Sequence, residues 1–224
     1  MTDNQQNKEN KTTKFDYLFK YIIIGQQAVG KSNLLLRYIN GEFRNEYQTT
    51  IGVEFGSKSL FIKDKVYRIQ IWDTAGQENY KSITRAYYKN SACAIIVYDI
   101  SNRESFENVS SWIEDCKNQC AKTVYMTLVG NKSDLEEMRV VSKEEGQELD
   151  EKYGIKFYET SAKTGENVEE LFNNSAEEII ANIEAGYYDL EDESNGIKTG
   201  FNELMNKKKL HSEITENPYK KKCC

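Results

Sequence analysis

Histidine is almost missing from this sequence. The one copy among 224 residues, His211, stands in a polar stretch near the end, so general-base catalysis by histidine is not expected. Long apolar runs are missing too. None approaches the ~20 residues of a membrane-spanning helix, and the opening residues hold no apolar segment of the kind that makes a secretory leader. Residues 1–14 (MTDNQQNKENKTTK) contain no apolar residue beyond Met1 and are expected to form a disordered arm. Thr2 stands where N-myristoylation requires glycine. There is no excess of positive charge: 30 Lys and Arg against 36 Asp and Glu leave a net −6, which argues against nonspecific nucleic-acid binding. Cysteines lack metal-ligand spacing. Cys93 lies in an apolar run, and Cys116 and Cys120 on an expected helix, a pattern that fits a reducing cytosol. Cys223 and Cys224 are the last two residues.

What is present is concentrated. Gly25-Gln26-Gln27-Ala28-Val29-Gly30-Lys31-Ser32 has the form G-x-x-x-x-G-K-S. An apolar, β-branched run (Tyr21-Ile22-Ile23-Ile24) precedes it and a helical stretch (Leu34-Leu35-Leu36-Arg37-Tyr38-Ile39) follows, the context a phosphate-binding loop needs. Its glycines let backbone N–H groups of residues such as Gln27, Ala28 and Val29 turn onto a polyphosphate, and the helix offers its positive end. Lys31 is placed to reach the β- and γ-phosphates, and Ser32 to put a hydroxyl on Mg²⁺. A glycine-rich turn matching by chance is the alternative.

Strands and helices then alternate. Val53–Ile62 and Lys65–Trp72 read as an antiparallel hairpin about Lys63-Asp64. Residues 92–98 and 124–129 are near-continuous apolar runs, as in strands covered on both faces. Phe106, Val109, Ile113, Cys116 and Cys120 give one helical stripe. Residues 142–153 form a weaker helix and 155–158 a short strand. Asn167, with Glu170 three residues on, is expected to cap a helix striped by Val168, Leu171, Phe172, Ile179 and Ile183. This is a doubly wound α/β pattern, which binds ligands at the carboxyl ends of its strands. After Gly186 the composition turns acidic, then polar, then lysine-rich, so residues 187–224 are expected to form a flexible tail. Some 36 residues of coil would reach ~30–36 Å.

Three more motifs fall at strand ends. In Trp72-Asp73-Thr74-Ala75-Gly76-Gln77, alternation places Asp73 on the buried face, where a carboxylate can hold Mg²⁺. Gly76 can offer a backbone N–H to a γ-phosphate, and neutral Gln77 suits the orienting of an attacking water. Asn131-Lys132-Ser133-Asp134 can read guanine. Its Asp accepts from N1–H and the exocyclic amine, donors that adenine lacks on that edge, while the Lys132 stem lies on the base. In Glu159-Thr160-Ser161-Ala162-Lys163, the Ala162 N–H can face the guanine carbonyl. Within residues 43–50 Thr50 could complete the Mg²⁺ shell, with an ordinary surface loop an equal alternative. Trp72 shares a strand face with Arg68 and Gln70, an odd place for tryptophan unless a partner or the chain itself covers it.

Together these motifs resemble those of the Ras-superfamily small GTPases, and specifically the Rab family, over roughly residues 15–186. Rab character lies in Ile51-Gly52-Val53-Glu54-Phe55, Arg68-Ile69-Gln70-Ile71-Trp72, Tyr80-Lys81-Ser82-Ile83-Thr84, Ala86-Tyr87-Tyr88 and the terminal cysteines. Residues 17–25, 52–56 and 195–198 are most similar to the subgroup numbered two, with those numbered four and fourteen sharing much of this. The resemblance implies a Ras-like P-loop fold: a mostly parallel six-stranded sheet with one antiparallel edge strand and about five helices. It implies GTP and GDP as ligands with Mg²⁺ on Ser32, Thr50 and Asp73, and Gln77 and Lys31 as catalytic groups. Nucleotide contacts would further come from Gly30, Asn33, Phe43 (edge-on to the base), Thr49, Gly76, Asn131, Lys132, Asp134, Ser161, Ala162 and Lys163. Switch II would run from about Asp73 to Tyr88, and Phe55, Trp72 and Tyr87 would face effectors.

Exchange factor, GTPase-activating protein, GDP-dissociation inhibitor and prenylation machinery are the further partners implied. Two prenyl groups on Cys223 and Cys224 would hold the chain on membranes, since one lipid gives only marginal binding, with neighbouring lysines assisting on an anionic leaflet. The expected location is the cytoplasmic face of Golgi and ER–Golgi membranes, with a soluble cytosolic pool. Gln26-Gln27-Ala28 departs from the family's usual residues, as do Asn79 and Lys89-Asn90. A bulky Gln27 beside the γ-phosphate suggests slowed hydrolysis, so a GTP-locked recruitment scaffold is the alternative to a cycling switch. A small-molecule P-loop kinase is a third, disfavoured by the guanine motif and by the lack of an acceptor lid.

Overall fold

The computed structural model describes residues 15–46, 48–77 and 81–200. The expected N-terminal arm, Tyr47, residues 78–80 of the expected switch II, His211 and the expected lipidation cysteines Cys223 and Cys224 lie outside them. Strand β1 (Tyr17–Ile24) carries the sheet. Its last four residues are buried on both faces, each isoleucine contributing about 1.5–3 kcal/mol by leaving water. Helix α1 (Lys31–Asn40) follows the glycine loop. The hairpin is β2 (Val53–Ile62) and β3 (Lys65–Thr74), turned at Lys63 and Asp64, both with positive φ as a two-residue hairpin loop requires. Then come α2 (Lys81–Tyr88), β4 (Cys93–Asp99), α3 (Arg103–Glu107), α4 (Val109–Gln119) and β5 (Tyr125–Asn131). Helix α5 (Lys143–Tyr153), β6 (Lys156–Thr160) and α6 (Val168–Glu184) complete the expected pattern.

The strand order is β2-β3-β1-β4-β5-β6, parallel except for the β2 edge. One face packs Tyr21, Ile23, Ile69 and Ile71 against α1 and α6, where Tyr38 stacks on Phe172 at 4.1 Å. The other packs Ile22, Ile24, Ile96 and Leu128 under Trp112 and Ile113 of α4 and the inner side of α5. The sheet thus excludes water from both sides and leaves its strand ends to carry polar chemistry. Because β1 sits between β3 and β4, the loops after these three strands open into one crevice, the position where such sheets bind ligands.

Three expectations need correction. Asn167 does occupy the N-cap of α6, but with φ 55° and no side-chain cap. Its Nδ2 donates to the Glu159 carbonyl instead, fastening α6 to the end of β6. More important, residues 187–200 are not a loose tail. Strand β4 pairs only with Tyr21–Ile24, which leaves the first half of β1 unpaired on that side. A short strand β7 (Ile197–Thr199) fills the gap, antiparallel to Tyr17–Phe19, as a seventh strand. Tyr188 and Ile197 are buried, and the Tyr188 hydroxyl donates to the Thr123 carbonyl. So few apolar residues in an acidic stretch gave no periodicity to read. The stripe expected over residues 106–120 is also divided, at Asn108, into α3 and α4.

Candidate functional site

The crevice is a cleft of about 600 Å³ running from Gln27 and Gly76 at one end to Asp134 and Ala162 at the other. Its floor is the glycine loop. Gly25 holds φ 140°, and a Cβ there would fall 2.2 Å from the Val97 carbonyl; Gly30, at φ 97°, has the Asn131 side-chain amide 2.4 Å from where its own Cβ would stand. Neither position can hold a side chain without moving its neighbours. Lys31 is buried, and its Nζ donates to the carbonyls of Gly25 (2.9 Å) and Gln26 (2.8 Å). Burial lowers its pKa to about 8, against the pull of Asp73.

Three oxygens converge beside that lysine. Ser32 Oγ donates to Asp73 Oδ2 at 2.5 Å and lies 2.8 Å from Thr50 Oγ1. Asp73 Oδ1 is buried without a hydrogen-bond partner. Burial raises this carboxyl to about 6, with Lys31 and Ser32 opposing and Glu54 adding to the rise. Two hydroxyls and a carboxylate with a spare buried oxygen form the hard-oxygen donor set that suits Mg²⁺. The end of β3 is fixed by Thr74, whose Oγ1 donates to the Ile23 carbonyl. Next, Gly76 lies so close to the loop that an added Cβ would stand 2.5 Å from Gln27 N and 2.6 Å from Lys31 Nζ. Gln77 follows, lining the cleft with Thr49 and Phe43. Asn33, expected on the nucleotide, exchanges two hydrogen bonds with the Arg44 backbone and so pins the loop before β2.

The far end is more tightly tied. Asn131 Nδ2 donates to the Val29 carbonyl at 2.8 Å, and its Oδ1 accepts from Thr160 Oγ1 and from the Ala162 N–H at 3.2 Å. Asn131 therefore joins three loops. The Ala162 N–H, read from sequence as facing a base carbonyl, is engaged by that bridge. Asp134 Oδ1 accepts from Ser161 Oγ at 2.6 Å, and Lys163 Nζ stands 3.7 Å from Oδ2. Lys132, at φ 69°, pairs with Asp99 at 2.7 Å.

Asp99 and Arg37 were missed in the sequence. Asp99 is buried, accepts from Ser101, and pairs with Lys132. Arg37 donates from Nε to the Ala162 carbonyl and from Nη2 to the Lys163 carbonyl. An acid closing the most buried strand was a signal for the first. The second had none, since its partners lie 125 and 126 residues away.

On the outer face, Trp72 lies between Phe55 (4.9 Å between ring centroids) and Tyr87 (5.3 Å), with its Nε1 buried and unpartnered. The chain covers Trp72 in part, while Phe55 remains 52% exposed and neighbouring Ile51 80%. Among the described residues no helix is long and apolar enough to cross a membrane.

An α/β sheet whose glycine loop, oxygen cluster and carboxylate share one crevice defines a P-loop nucleotide-binding protein. A model of the Ras family matches residues 20–181. Over 187 residues the chain is 51% identical to Ras-related protein Rab-2B of Dictyostelium discoideum, covering 84% of this chain and 93% of that protein. The chain belongs to the Ras family and, within it, to the Rab GTPases. It is a GTP hydrolase that binds guanine nucleotide and works with effectors and regulators.

Proposed function

We propose that this Rab acts as a Mg²⁺-dependent GTP switch in vesicle traffic between the endoplasmic reticulum and the Golgi. It would be held on the cytoplasmic face of those membranes by prenyl groups on Cys223 and Cys224, with a soluble cytosolic pool. The observation that carries the switch chemistry is the meeting of Ser32, Thr50 and Asp73 beside Lys31 in the cleft that ends at Asp134.

Ser32, Thr50 and Asp73 would hold the magnesium. The chemistry a bound Mg²⁺ would supply is neutralisation of phosphate charge. The backbone of Gln27 to Ser32 cradles the phosphates, and the Lys31 ammonium stabilises charge that grows as the γ-phosphate leaves. Gln77 orients a water whose oxygen bonds to the γ-phosphorus while the bond to the β–γ bridging oxygen breaks, giving GDP and inorganic phosphate. Gly76 donates its N–H to the γ-phosphate, so its loop senses whether that group is present. At the other end Asp134, steadied by Ser161, accepts both donors of the guanine edge, and the Lys132 stem and Phe43 flank the base. Asn33, Thr49, Asn131, Ala162 and Lys163 shape the remaining walls. Effectors would read Phe55, Trp72 and Tyr87.

The test is single-turnover hydrolysis by protein preloaded with GTP and Mg²⁺, with ATP as the specificity control. Slow GDP release with ATP refused is the expected result. Tight GTP retention with no GDP over many hours would instead favour a GTP-locked scaffold. The long Gln27 side chain, on a residue that lines the same cleft as Gly76 and Gln77, is the observation that favours that second reading.

A further inference from the structure

Cys116, in the last turn of α4, and Cys120, which caps that helix, are four residues apart and therefore share a face. Their sulfur atoms are 3.4 Å apart. Cys116 is buried and Cys120 only half-buried. Cys120 Sγ donates to the Tyr88 carbonyl at 3.3 Å, so the remaining proton between the two sulfurs is that of Cys116. The bond to Cys120, with burial, holds the Cys116 thiol far above the ordinary thiol range.

Tyr88 ends α2, the helix that follows the Gly76-Gln77 loop. The last carbonyls of a helix have no partners within it and need donors from elsewhere. Here Lys20 Nζ serves Tyr87 and Lys89, Ser91 Oγ also serves Tyr87, and the Cys120 thiol serves Tyr88. The cysteine pair is thus part of what fastens the end of the switch helix to the body of the domain.

We propose that Cys116 and Cys120 form a redox-active dithiol that a peroxide converts to an intrachain disulfide, taking the Cys120 S–H away from the end of α2. The sulfur of half-exposed Cys120, giving up its proton, attacks one peroxide oxygen; the O–O bond breaks, and the departing hydroxide takes that proton, giving a sulfenic acid and one water. Cys116 sulfur then attacks the Cys120 sulfur, the S–O bond breaks, and hydroxide leaves with the Cys116 proton as water. In sum, two thiols and one hydrogen peroxide give one disulfide and two waters.

Helix positions four apart hold their Cβ atoms about 5–6 Å apart, whereas a disulfide wants about 3.5–4.5 Å, so closure must draw the residues together. The chain has that freedom on the Cys120 side. Its ψ of 168° has already left the helix, and one backbone bond, to the Cys116 carbonyl, ties it back. A bond closed under strain is easily reduced, which suits a reversible thiol pair in a reducing compartment.

The test uses the full-length chain, loaded with GDP and Mg²⁺, with Cys223→Ser and Cys224→Ser so that the terminal thiols cannot intervene. Lys117 lies between the two cysteines, so trypsin leaves two peptides that only a disulfide can join. After brief hydrogen peroxide treatment, these peptides are expected as one species, lighter by two hydrogen atoms and separated again by dithiothreitol. Hydrogen exchange across residues 84–92 should rise at least about threefold, and not in peroxide-treated Cys116→Ala. A sulfenic or sulfinic acid on Cys120 with Cys116 still open to alkylation after denaturation would overturn the proposal. So would a disulfide that leaves exchange at residues 84–92 unchanged. Both readings of the pair come from the unaltered cysteines, so a poorly folded Cys116→Ala would not rescue the idea.

Discussion

The two ends of the nucleotide cleft are built to different standards. At the base end nearly every polar side chain answers another across the chain: Asn131 joins Val29, Thr160 and Ala162, Asp134 faces Ser161, Lys132 faces Asp99, and Arg37 straps residues 162 and 163. Apart from Val29 of the glycine loop and Arg37 of α1, these residues stand at or just beyond the ends of β4, β5 and β6, so their positions are set before any ligand arrives. At the phosphate end the loop and Lys31 are equally fixed, while the segment before β2, though tied by Asn33 to Arg44 and by Thr50 to Ser32, is largely exposed. Thr49 and Ile51 are exposed, and β2 is an edge strand with one face only half-buried and the other exposed. A rigid pocket can choose the nucleotide; a loosely held margin can change shape with what the pocket holds.

Removing the carboxylate of the rigid end should have the largest effect. Asp134→Ala leaves two guanine donors unanswered and frees Ser161, so guanine-nucleotide affinity should fall about 10³-fold or more. Dissociation of a fluorescent GDP analogue would measure it. A loss under tenfold would mean that the base end does not set selectivity. Gln77→Leu addresses the other end. Hydrolysis of preloaded GTP should slow about 10²-fold, the scale of losing a positioned reactant, while GDP affinity stays within about twofold. Equal losses in both would erase the division between the two ends.

Arg37→Ala is a smaller wound to the rigid end. Two carbonyls in the loop that carries Ala162 lose their donors, at about 1–3 kcal/mol. GDP should leave about tenfold faster, with the rate of bound-GTP hydrolysis unchanged. If hydrolysis slowed as well, the clamp would serve both ends and the contrast would be weaker than drawn.

How far the sequence foretold this division follows from what each part is made of. The glycine loop, Asp73, Gly76 and Asp134 were legible because each sits at the end of an apolar run, and the run announces a strand. The Ser32–Thr50–Asp73 cluster was legible only as separate residues; Thr50 in particular lay in a polar loop that reads like any other. Arg37 was not legible, because its work depends on which distant loop comes to lie beside α1, and Asp99 was signalled only as an acid closing a buried strand. The strap that ends in β7 was invisible for a related reason. Its value to the fold lies in the unpaired half of β1 that it covers, a vacancy created by where β4 begins.

Gln27 tests the contrast where it is finest. It belongs by backbone to the fixed loop, where its N–H lies close to Gly76, yet the residue is only half-buried and lines the cleft together with Gln77. If its bulk crowds the path of the attacking water, shortening it must relieve turnover without touching recognition. Gln27→Ser should therefore raise single-turnover hydrolysis about two- to fivefold, since better alignment of a reactant acts on the rate and not on binding. GDP dissociation should stay within about twofold. The same ratio should hold with a GTPase-activating protein present, because an incoming arginine needs the same space. Unchanged rates under both conditions would show that the rim tolerates a long side chain there, and that slow turnover, if measured, arises from switch II instead.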